Sequence, residues 1–127
     1  MEMTEKPIRV GIATYEQQKQ RMMAVARGEL KLAPNEPKIW FSSIESLAQL
    51  LNSKNQRLLE IIEESQPDSV HDLARLSQRK PSNLSRTLKS LAHMGIVDMV
   101  KNGNKLMPRV RYNRFQVDFG PQQVSPL

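Results

Sequence analysis

Three leucines, Leu84, Leu88 and Leu91, fall at i, i+4 and i+7 between Pro81 and Gly95. That spacing puts one apolar stripe on a helix. Pro81 is tolerated in the first helical turn, where the N–H it lacks would have no partner anyway. Gly95 supplies the stop, so a helix is expected from Pro81 to about Met94. A single stripe of this kind must be buried against neighbouring elements.

The flanking residues name those neighbours. Ser69 caps a short helix, with Asp72 three residues on and Val70, Leu73, Ala74 and Leu76 facing inward. Ser77 to Lys80 form the turn between this helix and the next. Further upstream, Leu58, Leu59, Ile61 and Ile62 belong to a helix ending near Ser65, with Pro67 confirming the stop. Ile39, Trp40 and Phe41 form a dense apolar cluster. Ser42 and Glu45 have capping-box spacing and start a helix through about Leu51. After Gly95 the period changes. Ile96 to Val100 is a β-type run, Asn102-Gly103-Asn104 is a hairpin turn signal, and Arg109 to Tyr112 returns as the second strand.

At the N-terminus, Ile8, Val10 and Ile12 alternate with Arg9 and Gly11 as a short strand. Thr14 and Gln17 make a capping box for a helix over about Tyr15 to Arg27, and Gly28 ends it. Lys31 to Pro37 reads as a linker. Phe115, Val117 and Phe119 alternate with polar residues as a further strand. The expected organisation is an N-terminal strand-helix arm and linker over 1–36, a main domain of helices and a hairpin over 37–119 and a flexible tail over 120–127.

Charge is unevenly placed. The net charge is +6. Between Gln66 and Arg114 there are ten basic and three acidic residues, whereas the remainder has nine basic and ten acidic. Positive excess confined to one segment points to a polyanionic partner. The alternative is a solvated basic face. The absence of cysteine excludes disulfides, thiolate nucleophiles and cysteine-based zinc sites. No stretch is apolar enough to span a membrane, and Met1 to Lys6 lacks the pattern of a secretion signal, so a cytoplasmic location is expected. His71 and His93 have no metal-ligand spacing. Glu60, Glu63 and Glu64 are read as an exposed helix face rather than paired catalytic carboxylates. No Gly-rich phosphate loop or nucleophile elbow is present. Neither an enzyme nor a cofactor or metal site is expected.

The stretch Val70-His71-Asp72-Leu73-Ala74-Arg75-Leu76-Ser77, then Pro81-Ser82-Asn83-Leu84-Ser85-Arg86-Thr87-Leu88-Lys89-Ser90-Leu91 and Gly95-Ile96-Val97, resembles the multiple-antibiotic-resistance and arsenical-resistance regulator families. Their pattern is a "Leu-Ala" helix, a Ser-rich recognition helix with "Ser-Arg-x-Leu-x-x-Leu", and "Gly-Leu-Val", for which Ile96 is a mild departure. The resemblance covers roughly Ile39 to Tyr112. It implies a mainly α fold with a small β-hairpin, a winged helix-turn-helix carrying the N-terminal arm. A second, weaker resemblance is to predicted regulators with an N-terminal strand and helix, some of them similar to toxin–antitoxin partners.

A step of about 100° per residue from Leu84 turns Ser82, Arg86, Lys89 and His93 away from the core, with Asn83, Ser90 and Ser85 at the edges. A recognition helix reads bases mainly with its N-terminal turns. Ser82, Asn83, Ser85 and Arg86 are therefore the candidates for base edges, with Ser82 alternatively the N-cap. Lys89 is assigned to phosphate, as are Arg79 and Lys80 ahead of the helix. Ser69 or His71 is a further backbone candidate. Lys101, Asn102, Asn104, Lys105, Arg109 and Arg111 form the basic wing. The alternative for Arg109 and Arg111 is that they keep an edge strand soluble.

The leading expectation is a sequence-specific transcriptional regulator, a repressor, acting as a homodimer on double-stranded DNA. The other is an antitoxin or interaction module that binds a partner protein, such as a toxin, through the N-terminal arm and controls its own operon.

Overall fold

The computed structural model describes residues 4–120. Ten elements follow in the order β1 (Pro7–Ile12), α1 (Tyr15–Ala26), β2 (Ile39–Phe41), α2 (Ile44–Leu50), α3 (Ser53–Ser65), α4 (Val70–Ser77), α5 (Pro81–His93), β3 (Val97–Asn102), β4 (Lys105–Val110) and β5 (Arg114–Asp118). This is a mixed α/β fold with five helices and a small antiparallel hairpin. It corrects the expectation of a mainly α protein, because β1, β2 and β5 form a separate sheet.

In that sheet the order is β2-β1-β5 and every pairing is parallel. Val10 lies opposite Ile39 on one side and Val117 on the other. The alternation in β1 separates two faces. Ile8 and Val10 are buried against the helices, in one core cluster with Ile39, Phe41, Leu58, Ile62, Leu73, Leu84, Leu88, Leu91, Ile96, Val97 and Val110. The other face carries Gly11 under the Trp40 ring. A Cβ on Gly11 would lie 2.4 Å from Trp40 Cζ3, so only glycine lets the indole lie flat on the strand.

The strand expected to open an arm is thus the central strand of the sheet, and its side chains belong to the common core. Pairing between residues 7–12 and 114–118 spans almost the whole chain, and parallel neighbours need a long crossover. Local periodicity does not reveal such a pairing. Of the expected tail, all but Gly120 lies outside the described residues.

Local signals place the helices well. Thr14 and Gln17 close the capping box of α1, with Gln17 N donating to Thr14 Oγ1 at 3.1 Å and Thr14 N donating to Gln17 Oε1 at 2.8 Å. Ser69 Oγ accepts from Asp72 N at 3.0 Å. For α2 the box is one residue later than expected, between Ser43 and Ser46. Serine at both positions satisfies both amide donors, so a Glu at the third helical position is not needed.

Glu63 also departs from expectation. Rather than standing on an exposed face, it accepts from Asn113 Nδ2 at 2.9 Å and pairs with Lys6 Nζ at 3.7 Å. Asn113 in turn accepts from Lys6 N at 2.7 Å. These contacts tie the starts of β1 and β5 to α3.

Candidate nucleic-acid interface

α4 and α5 are joined by three residues, Gln78, Arg79 and Lys80. A turn of that length between two packed helices is the helix-turn-helix spacing. Gln78 makes the reversal with φ at +58°, a left-handed conformation that a side-chain-bearing residue adopts at a cost. Lys80 is the residue before α5 and makes no side-chain cap, while Pro81 fills the first helical position. Ser82 is therefore inside the helix, and the N-cap alternative does not hold.

The helix α5 has two unlike faces. Leu84, Leu88 and Leu91 are at most 2% exposed. Ser82, Asn83, Ser85, Arg86 and Lys89 are all exposed, as are Lys80 just ahead of the helix and His93 at its end. No residue from Pro81 to His93 is acidic. The outward face is thus cationic and hydroxyl-rich, with short side chains between the long ones. Its chemistry matches what phosphates and base edges present.

The hairpin projects after α5. Asn102 pairs with Lys105 across a two-residue loop, Gly103-Asn104. Gly103 alone in this loop has positive φ, at +65°, the pattern of a turn with glycine at its first central position. Lys101, Asn102, Asn104 and Lys105 are all exposed around this tip.

Two candidate arginines are engaged within the fold. Arg109 lies four residues from Lys105, about 13 Å along an extended strand. Its Nη1 donates to Pro67 O at 2.8 Å and its Nη2 reaches Gln66 O at 3.5 Å. It satisfies the carbonyls that end α3, whose C-cap Gln66 is left-handed at φ +45°. Arg111 lies past the end of β4, with its guanidinium 5.5 Å from the Tyr112 ring and its Nε 3.7 Å from Asp98 Oδ2. Neither reaches the tip. Arg111 is nonetheless exposed, whereas Arg109 is half-buried.

Arg79 is likewise turned inward. Its Nη1 donates to Asn55 Oδ1 at 3.0 Å, and its Nη2 donates to Asn83 Oδ1 at 3.2 Å and Thr87 Oγ1 at 3.0 Å. Sequence reasoning missed Asn55, which is 6% exposed on α3, and Thr87. A lone asparagine near a helix start reads as a polar surface residue. Only the three-dimensional approach of α3 to the turn gives it this role.

On the first helix of the pair, Asp72 accepts from Arg75 Nη2 at 2.7 Å. That guanidinium holds the Asp72 carboxyl below its ordinary value. His71 is exposed at the start of α4.

The sequence model of the HVO_A0114 family matches residues 50–117, more than half of the 127 residues. The chain belongs to the HVO_A0114 family. The matched span of this family member runs from the end of α2 through β5, so it holds the helix pair, its turn and the hairpin but not β1, α1 or β2. The chain is also similar to the solved structure of AntR, an antimony-specific transcriptional repressor. That similarity has 26% identity over 64% of this chain and 79% of that chain, with a TM-score of 0.43. No curated protein matches the chain. Among the described residues, no helix is long and apolar enough to cross a membrane.

Proposed function

We propose that this HVO_A0114-family protein is a sequence-specific DNA-binding transcriptional regulator, a repressor, and that α3 to β4 act as a winged helix-turn-helix. The observation that carries the reading is the division of α5 into a fully buried leucine face and an exposed face of Ser82, Asn83, Ser85, Arg86 and Lys89. Such a helix lies in the major groove with its N-terminal turns on base edges. Arg86 reaches a guanine through two bonds, and Lys80 and Lys89 sit on phosphates. Lys101, Asn102, Asn104 and Lys105 carry the wing to the flanking backbone.

Fluorescence anisotropy against duplexes tiled from its own upstream region tests this reading. One duplex is expected to bind far more tightly than the others. Its affinity falls by roughly 0.9 log units per log of salt for each phosphate neutralised. Equal and weak binding to all duplexes at every salt concentration would refute it.

We further propose that two copies act together, their recognition helices about 34 Å apart. Helix α1 supports the proposal. It buries no residue, and it exposes Tyr15, Met22 and Met23. The same helix favours a second reading, in which it holds a partner protein such as a toxin. Deleting the segment through Leu32 would also remove the central strand β1, so point substitution is the sound test. Met22→Lys converting a dimer to a monomer in light scattering supports self-association. Dimers that survive it leave α1 to a different partner.

A further inference from the structure

Arg79 decides which edge of Asn83 faces outward. A guanidinium has five donors and no acceptor. The Asn83 atom 3.2 Å from Arg79 Nη2 is therefore the carbonyl oxygen Oδ1. The amide nitrogen Nδ2 has no protein partner among the described residues, and the side chain is exposed.

Arg79 cannot follow Asn83 if that side chain rotates. Its other nitrogen is held by Asn55 Oδ1 at 3.0 Å, and Thr87 Oγ1 shares Nη2 at 3.0 Å. Asn55 is itself buried and fixed. Its Nδ2 donates to Leu50 O at 2.9 Å, and its backbone N donates to Asn52 Oδ1 at 2.8 Å. The chain of contacts from α2 through α3 and the turn to α5 thus ends on one amide oxygen.

Asparagine reads adenine with both edge atoms at once, its oxygen accepting from N6 and its nitrogen donating to N7. Here Arg79 takes one lone pair of the oxygen and holds that atom toward the turn, so the unpartnered nitrogen is the group most open to a base. In the major groove a donor is met by guanine O6 or N7, or by thymine O4. Adenine offers N7 but leaves its N6 hydrogens unmatched. Cytosine presents a donor to a donor.

We infer that Asn83 reads one keto base, guanine or thymine, in the major groove, and that Arg79 is the positioning residue that sets this preference. The inference rests on the reading of α5 as the DNA-contacting helix. It adds a rule of base choice that this reading does not contain.

The test is a full base-substitution matrix on the preferred duplex, read by anisotropy. With the native protein, one position is expected to favour guanine or thymine over cytosine by about tenfold, with adenine between. Asn83→Ala flattens that position and leaves the others unchanged. Asn83→Asp keeps the contact to Arg79 but presents only acceptors, so the preference moves to the amino bases, cytosine or adenine. Arg79→Lys loses the fork that holds Oδ1, and adenine rises to within about twofold of guanine. Circular dichroism shows whether this last variant is folded, and Asn83→Asp carries the test if it is not.

Adenine preferred by the native protein at the position that Asn83→Ala flattens overturns the inference. So does a matrix that Asn83→Ala leaves untouched while the native protein still selects one duplex. In both cases the DNA-reading helix stands. A native protein that distinguishes no duplex removes that reading as well.

Discussion

Arg109 on β4 donates from Nη1 to the carbonyl oxygen of Pro67, 42 residues earlier, at 2.8 Å. Pro67 is buried in the loop between α3 and α4. The contact fastens the hairpin to the helix pair and satisfies a carbonyl that has left its helix. Arg109→Ala is therefore expected to lower stability by about 1–3 kcal/mol in urea unfolding. Affinity for DNA, measured on the folded fraction, is expected to change little. A stable Arg109→Ala protein with greatly weakened DNA binding would put this side chain back on the wing.

The roles of Arg109, Arg79 and Arg86 show where the sequence was legible. The leucine stripe of α5, its proline start and the hairpin turn are all encoded within a few residues. The structure has them at Leu84, Leu88 and Leu91, at Pro81 and at Gly103. Arg86 points outward, as its position relative to Leu84 requires. Arg79 and Arg109 do not follow from such counting, because their partners Asn55 and Pro67 are 24 and 42 residues away. An arginine bound to a distant acceptor and an arginine free for phosphate look alike in sequence. The parallel sheet was hidden for the same reason. Ile8 and Val10 announce a strand but not that Phe115 and Val117 lie beside them.

Gly11 on β1 lies beneath the ring of Trp40, its neighbour on β2. Gly11→Val would force the Trp40 ring off the strand, and Arg21, whose guanidinium stands 5.5 Å from that ring, would lose its platform. A cost of about 1–3 kcal/mol is expected from overpacking. Trp40 is the sole indole, so its emission should shift to the red as it becomes solvated. An unchanged spectrum and stability would show that the indole does not rest on this residue.

Gln78 turns the chain between α4 and α5 at φ +58°. Gln78→Gly relieves the Cβ contact of the left-handed region, set against the greater entropy of glycine in the unfolded chain. A net gain of roughly 0.5–1 kcal/mol is expected in thermal or urea unfolding. The same variant should bind DNA as the native protein does. A loss of stability would mean that the Gln78 side chain contributes more than its backbone costs.

Asp72 is held below the ordinary carboxylate value chiefly by its hydrogen bond from Arg75. A carboxyl whose folded value is lowered adds stability above its unfolded pKa, near 3.9, and that contribution disappears as pH falls through the lower folded value. Asp72→Asn should therefore flatten the pH dependence of stability below about pH 4, leaving the neutral-to-basic range parallel to the native curve. Identical acid limbs would show that this pair does not contribute.

The measurement closest to the central claim is the ratio of Kd values for a shuffled and the preferred duplex, taken at one salt concentration for the native protein and for Arg86→Ala. Arg86 is exposed on α5 and its guanidinium makes no hydrogen bond among the described residues, so its removal should leave the fold intact. Arg86→Ala is expected to lose about 1–3 kcal/mol on the preferred duplex and much less on the shuffled one, shrinking the ratio. A native ratio well above one that Arg86→Ala leaves unchanged would contradict the assignment of α5 as the helix that reads.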